Sequence, residues 1–241
     1  MAGPAWLILP TFNEADNIES LALSALGVLQ SAAPEGYRVL IVDDASPDGT
    51  GEIADALAAR SDEVQVLHRP RKGGLGRAYL AGFEFALEGG AGHVLEMDSD
   101  FSHDPADIAR LLDAAHAGAD LVLGSRYVAG GGVTEWNAVR RGLSRGGCLY
   151  ARSVLGVGVR DLTGGFKCFR RETLEDIDLS SVRSEGYAFQ IELTYRALRR
   201  GFEVVEVPIT FHERRQGESK MSGRIALEAI VRVPQMRLQR Q

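Results

Sequence analysis

The chain has 241 residues, 45% of them hydrophobic and 25% charged, the proportions of a soluble globular protein long enough for one sizeable α/β domain. Charge is uneven: residues 1–120 hold 7 Lys/Arg against 20 Asp/Glu, residues 121–241 hold 20 against 13, and the net charge is −6. An acidic half suits a metal site and a basic half an anionic partner, while the lack of interleaved aromatic and basic stripes argues against nucleic acid.

Taken in order, short apolar runs predict strands at Trp6–Leu9, Arg38–Val42, Val64–Leu67, His93–Met97 and Leu121–Leu123. Helical patterns lie between them near Asn17–Gln30, Thr50–Ala59, Gly76–Leu87 and Pro105–Ala117, with Pro105 expected in the first turn of its helix. Such alternation predicts a mostly parallel sheet flanked by helices, with ligands beyond the carboxyl ends of its strands. The clusters Pro10–Glu14, Asp43–Asp48 and Asp98–Asp104 would then share one edge. After Arg126 come a glycine loop at Gly130–Gly132, an Arg-rich segment from Arg140 to Arg152 and a second loop at Gly156–Gly165. An apolar run at Phe166–Phe169, a helix near Tyr187–Arg200 and a strand at Glu203–Val207 ended by Pro208 follow. Phe211–Met221 reads as a polar loop, and Gly223–Arg237 as an amphipathic helix interrupted by Pro234. One domain is expected, with a strand-and-helix half (1–126), a second half and basic loop (127–220) and a tail (221–241).

Cys148 and Cys168 show no metal-ligand spacing and read as reduced structural thiols of a cytosolic protein. The N-terminus has no basic stretch leading into an apolar core, and no segment reaches the roughly 18 uninterrupted apolar residues of a spanning helix. Work at a membrane would therefore be done from its surface.

Asp98-Ser99-Asp100, just beyond an apolar run, places two carboxylates where they can grip a hard divalent cation, and that cation can hold a diphosphate. Pro10-Thr11-Phe12-Asn13-Glu14 reads either as a turn with a capped helix start or as an apolar floor with Glu14 accepting from a base or ribose. Asp43-Asp44 at the second strand's end is suited to a base edge or a ribose hydroxyl. Arg71-Lys72-Gly73-Gly74-Leu75-Gly76 lacks the ending of a phosphate loop and the spacing of a dinucleotide fingerprint, so it reads as close backbone packing beside the donor. Arg140 and Ser144 are four apart, so on a helix they share one face, which reads either as a phosphate clamp or as a solvated basic surface. The loop His212–Lys220 is dense in cations and could fold over a diphosphate, with Arg214 and Lys220 facing the leaving group.

Together these segments resemble the dolichol- or polyprenol-phosphate mannose synthases, inverting glycosyltransferases of family 2 with the GT-A (Rossmann-like) fold. Val42-Asp43-Asp44 with Ser46–Thr50, Met97–His103, Asp161–Phe166 and Phe211–Arg214 are the sharpest parts of the match. The resemblance implies an α/β fold with a C-terminal acceptor-side region. It implies that Pro10, Phe12, Glu14, Val42 and Asp44 hold the guanosine of GDP-mannose, with Ser99, Gln190, Arg214 and Lys220 also on the donor. It places Asp98, Asp100 and Ser102 around Mg2+ or Mn2+, and Arg126, Arg140 and Ser144 on the phosphate of a polyprenyl or dolichyl acceptor. Asp100, Arg126 and Arg214 would be the residues most involved in catalysis; Asp161 and Lys167 match without an assigned role. Members reach membranes through transmembrane helices or small membrane subunits, so a peripheral place at the cytoplasmic face is expected, with an integral-membrane partner or domain. Ile225, Leu227, Ile230, Val231 and Val233 either face lipid or a partner, with Arg224, Arg232 and Arg237 near headgroups, or close the domain core. The rival expectations are another nucleotide sugar such as UDP-glucose, a nucleotidyltransferase, and a non-catalytic membrane-binding module.

Overall fold

The computed structural model describes residues 3–213 and 223–238. Strand β1, Ala5–Thr11, is buried along its whole length, as befits a strand covered on both faces. Its side chains alternate between two cores. Leu7 and Leu9 pack with Ile18, Leu21 and Leu29 of α1 (Ile18–Ala32), whereas Trp6 and Ile8 pack with Tyr79 and Phe83 of α3 (Leu75–Glu88). Each such side chain contributes about 1.5–3 kcal/mol by leaving water. Helices α2 (Thr50–Ala58) and α4 (Asp107–His116) join α1 on the first face. Helices α6 (Arg171–Asp176) and α7 (Gly186–Arg199) join α3 on the second.

Besides β1 the sheet contains β2 (Tyr37–Asp43), β3 (Val64–His68), β4 (His93–Glu96) and β5 (Leu121–Ser125), with β7 (Lys167–Arg170) and β8 (Val204–Pro208). The spatial order is β3-β2-β1-β4-β7-β5-β8, and β7 alone among these runs antiparallel to its neighbours. Because β1, β2 and β4 are parallel, their following loops leave from one edge. Two short strands, β6 (Gly132–Val133) and β9 (Thr210–Phe211), pair in parallel beside the main sheet.

The Arg-rich segment forms a long helix, α5 (Ala138–Leu155), started by Asn137, whose side chain accepts from the Arg140 amide, and ended by Gly156 in the left-handed region. A third core joins α5, α7 and α8 (Gly223–Leu238) through residues such as Leu155, Ile191 and Val233. Two prolines, Pro105 and Pro234, behave differently from expectation. Pro105 lies in a turn before α4, because Asp104 Oδ1 accepts from the Ala106 amide and the Asp104 carbonyl from Asp107. Pro208, as expected, closes β8, an edge strand where proline is tolerated. Pro234 lies inside α8 without ending it. Proline removes the hydrogen bond to the carbonyl four residues earlier, and the Tyr150 hydroxyl of α5 donates to that Ile230 carbonyl instead, at 2.8 Å.

The tail contributes to the core only in part. Val233 is fully buried in the third core, while Ile230 and Val231 are each 53% exposed. Side chains at 224, 225 and 227 lie outside the described residues, as do Arg214 and Lys220. Cys148 and Cys168 are buried free thiols, both held protonated by burial. No helix among the described residues is long and apolar enough to cross a membrane.

Candidate active site

The loops after β1, β2 and β4 are tied to one another. Glu14 donates its amide to Thr50 Oγ1 at 2.9 Å, Ala15 donates to Asp48 Oδ2 at 3.1 Å, and Ser99 Oγ donates to the Pro10 carbonyl at 2.9 Å. Each loop also holds a non-glycine residue in the left-handed region: Asn13 (φ 59°), Ala45 (φ 55°) and Phe101 (φ 60°). Such conformations persist only where surrounding structure enforces them, and they concentrate at functional sites.

These loops enclose a cavity of about 320 Å³. Seven expected donor or metal residues line it: Pro10, Phe12, Glu14, Asp44, Asp98, Ser99 and Asp100. Val42, Ser102 and Gln190 do not. Val42 is a fully buried core residue next to Ala78, because alternation along β2 turns it inward. Ser102 is buried beside Asp100, donating its hydroxyl to Asp100 Oδ1 at 2.5 Å and its amide to the same oxygen at 3.0 Å. It therefore orients Asp100 from behind the cavity wall.

Several wall residues were not anticipated. Lys72 stands 3.8 Å over the Phe12 ring, a cation–π contact. Glu185 and Gly186 bring the start of α7 to the wall. Asp44 is bridged by the Arg69 guanidinium and accepts from the Gly73 amide at 2.9 Å, so the glycine segment packs on this carboxylate. Gly74 (φ 92°) faces Glu185 so closely that a side chain there would lie 2.9 Å from its carboxylate.

The wall thus carries the carboxylates of Glu14, Asp44, Asp98, Asp100 and Glu185 against one lysine. A diphosphate would be repelled unless a cation accompanied it. Asp98 and Asp100 present hard oxygen donors suited to Mg2+ or Mn2+, which accept one or two carboxylates and complete their shells with phosphate and water. Among the described residues no three His, Cys, Asp or Glu side chains converge tightly enough to hold a metal alone. His103, 4.0 Å from Asp98, is held down to about 4 by burial and is neutral near pH 7.

The expected acceptor residues form a neighbouring cluster. Arg126 is buried and makes two side-chain bonds to Asp161, Nε to Oδ2 and Nη2 to Oδ1, both at 2.7 Å. Burial would raise the Asp161 carboxyl, but Arg126 holds it below the ordinary carboxylate range. Arg126 is therefore largely offset before any ligand arrives. Ser144 accepts from the Tyr127 hydroxyl at 2.6 Å, and Arg140, stacked 4.3 Å from Trp136, pairs with Glu213 at 2.8 Å. Tyr187, just after Gly186 of the cavity wall, has its hydroxyl pushed up by burial, with Arg126 and Arg140 opposing and Asp98 adding to that shift. The His212 amide donates to the Ser102 carbonyl at 2.9 Å, so the chain leading to 214–220 crosses between the cavity and this cluster.

The model of glycosyl transferase family 2 matches residues 6–178. A polyprenol monophosphomannose synthase of Mycolicibacterium smegmatis is 53% identical over 228 residues, spanning 94% of this chain and 84% of the relative. An undecaprenyl-phosphate mannosyltransferase of Micrococcus luteus is 52% identical over 226 residues, spanning 94% and 90%. Glucosyl-3-phosphoglycerate synthase of Mycobacterium tuberculosis, solved with phosphoglyceric acid, superposes with a TM-score of 0.75 at 19% identity over 99% of this chain and 81% of that one. The same enzyme solved with Mn2+, UDP and glucosyl-3-phosphoglycerate gives 0.74. These likenesses establish the fold as GT-A. With the family match and the two relatives, they make this chain a member of glycosyl transferase family 2, and the resemblance seen in its motifs extends along most of its length.

Proposed function

We propose that this protein transfers mannose from GDP-mannose to a polyprenyl, dolichyl-type monophosphate, with inversion at the anomeric carbon, giving polyprenyl-phosphate mannose and GDP. The observation that best supports this is the adjacency of an acidic cavity walled by Asp98 and Asp100 to a basic helix, α5. The two relatives above 50% identity, a polyprenol monophosphomannose synthase and an undecaprenyl-phosphate mannosyltransferase, support mannose as the sugar and a polyprenyl phosphate as the acceptor.

In the proposed reaction an acceptor phosphate oxygen bonds to the anomeric carbon as the bond to the GDP oxygen breaks, and the electron pair leaves with GDP. A phosphate monoester has a second pKa of about 6 and is largely ionised at neutral pH, so no side chain need act as a strong base. What the chain must supply is orientation and charge compensation for two anions. Pro10, Phe12, Glu14 and Asp44 would hold the nucleoside, with Val42 supporting their loop from the core. Asp98 and Asp100 would hold Mg2+ or Mn2+, oriented by Ser102, and that cation when bound supplies charge to stabilise the departing diphosphate. Gln190, Arg214 and Lys220 would add donors to the same end. Arg140 and Ser144 would receive the acceptor phosphate, with Arg126 fixing the floor through Asp161.

The proposed organisation is one domain, with donor residues in 1–126, acceptor residues and basic loop in 127–220 and a tail in 221–241. Val139, Leu143 and Leu149 of α5 are exposed beside Arg140, Arg141 and Arg145, and Ile230 and Val231 of α8 are exposed as well. Apolar and basic side chains on one helix suit a peripheral position on an anionic, cytoplasmic membrane face.

Incubation with radiolabelled GDP-mannose, polyprenyl phosphate and Mn2+ should move label into organic solvent, and EDTA should abolish it. Labelling from UDP-glucose instead would replace the sugar donor. Labelling from neither, with folded protein and a suitable lipid, would overturn the acceptor assignment.

A further inference from the structure

Behind Asp98 lies a buried ion pair that the proposed chemistry does not use directly. Glu96 and Lys167 face one another across the antiparallel β4–β7 pair, both fully buried, with Nζ 3.2 Å from Glu96 Oε1. Lys167 also donates to two acceptors of α7, the Gln190 carbonyl at 3.1 Å and the Gln190 side-chain Oε1. An ammonium has donors only, so it fixes which end of the carboxamide faces it: Oε1 must point to Lys167, and Nε2 must point away.

Gln190 is 3% exposed, and its Nε2 lies beside the Glu96 carboxylate and eases that charge, although neither it nor the Glu96 oxygens complete a well-formed hydrogen bond among the described residues. An amide nitrogen carries two hydrogens, and the one not turned to Glu96 is left for a further partner. Gly165 shows where that partner would come from. A side chain there would stand 3.5 Å from Gln190 Nε2 and 3.6 Å from both carboxylate oxygens of Asp98, so the amide and the carboxylate flank the same glycine. Glycine keeps that position clear of a side chain.

We propose that Lys167 and Glu96 are positioning residues: they lock the Gln190 carboxamide so that Nε2 presents a hydrogen-bond donor at the Asp98 end of the cavity, to an oxygen of a bound nucleoside diphosphate. This rests on the donor-site reading above. Glu96 is needed because a lone ammonium in this interior would be costly, whereas the pair brings no net charge to the site.

The test is calorimetric binding of GDP and of UDP in the presence of Mn2+. Replacing Lys167 alone strands a buried Glu96, so the principal variant is Glu96→Met/Lys167→Met, which exchanges the pair for apolar groups of similar volume. It should keep its melting temperature within a few degrees and its affinity for a short polyprenyl phosphate within about twofold, yet bind GDP–Mn2+ about tenfold more weakly. Gln190→Leu should lose the same amount, and the triple variant should lose no more than either. A folded double variant that binds GDP–Mn2+ like the parent would overturn the proposal, as would additive losses in the triple variant. Failure of the parent itself to bind either nucleotide would instead remove the donor site on which the proposal stands.

Discussion

Asp98 and Asp100 are separated by one residue yet held differently. Asp100 is buried and fixed by the amide and hydroxyl of Ser102, whereas the Asp98 side chain is 31% exposed. A fixed carboxylate gives a cation a defined seat, so Asp100→Ala should lower the transfer rate at least 100-fold at all Mn2+ concentrations. Near-parental activity across a Mn2+ titration would remove Asp100 from the metal site. Asp161 answers a different need, holding Arg126 in the interior through paired bonds. Asp161→Asn leaves that guanidinium uncompensated and should cost about 3–5 kcal/mol in urea denaturation; a loss below 1 kcal/mol would contradict the pairing as drawn. At this scale the sequence identified the residues whose chemistry is local. Asp98 and Asp100 follow an apolar run, and Glu14 and Asp44 end predicted strands. Arg69, Glu185 and Tyr187 were invisible because their place at the site depends on folding, whereas Lys72 lay in the segment read as packing beside the donor and only its contact with Phe12 was missed. Arg69 meets Asp44 only when β3 lies beside β2, and Glu185 meets Gly74 only when α7 covers α3.

Among the elements, the five strands before residue 126 were legible because buried parallel strands are short apolar runs bounded by turns. Helix α5 was read as an Arg-rich segment for an equally physical reason. Gly142, Gly146 and Gly147 weaken its local propensity, and Val139, Leu143 and Leu149 lie outward, so its pattern lacks the usual polar outer face. Its ends are set by Asn137 and Gly156, and its inner side by packing against α8. The outward apolar side is the feature a membrane surface would cover. Leu143, 73% exposed, is replaceable without touching the core. Leu143→Glu should therefore reduce cosedimentation with anionic phospholipid vesicles several-fold while leaving the melting temperature unchanged within about 2 °C. Unaltered vesicle binding would take α5 out of the membrane-facing surface.

For the molecule as a whole, the uneven charge of the sequence becomes an arrangement in space. The acidic half supplies the edge of β1, β2 and β4, and the basic half supplies α5 beside it. The fold also buries two histidines in neutral form. Burial lowers His93, with His116 and Arg170 adding to the effect, and burial lowers His103 to about 4. Their contribution to stability is complete above the unfolded histidine value of about 6.5. Below it the unfolded chain takes up protons that the folded chain refuses, so stability falls as the pH drops toward the folded values. Melting temperature should decline between pH 7 and pH 5, and His93→Asn should flatten part of that decline. A profile unchanged by His93→Asn would contradict the assignment to His93.

The division of labour between the two charged halves is tested most directly by steady-state transfer kinetics of Arg140→Ala, varying GDP-mannose and polyprenyl phosphate in turn. Arg140 is partly exposed, paired with Glu213 and far less committed than Arg126, so the fold should tolerate its removal. The expected result is a KM for the lipid phosphate raised about tenfold or more, the loss of one charge-assisted contact, with the KM for GDP-mannose within about twofold of the parent. An equal rise in both would mean that donor and acceptor do not occupy separate halves of the site.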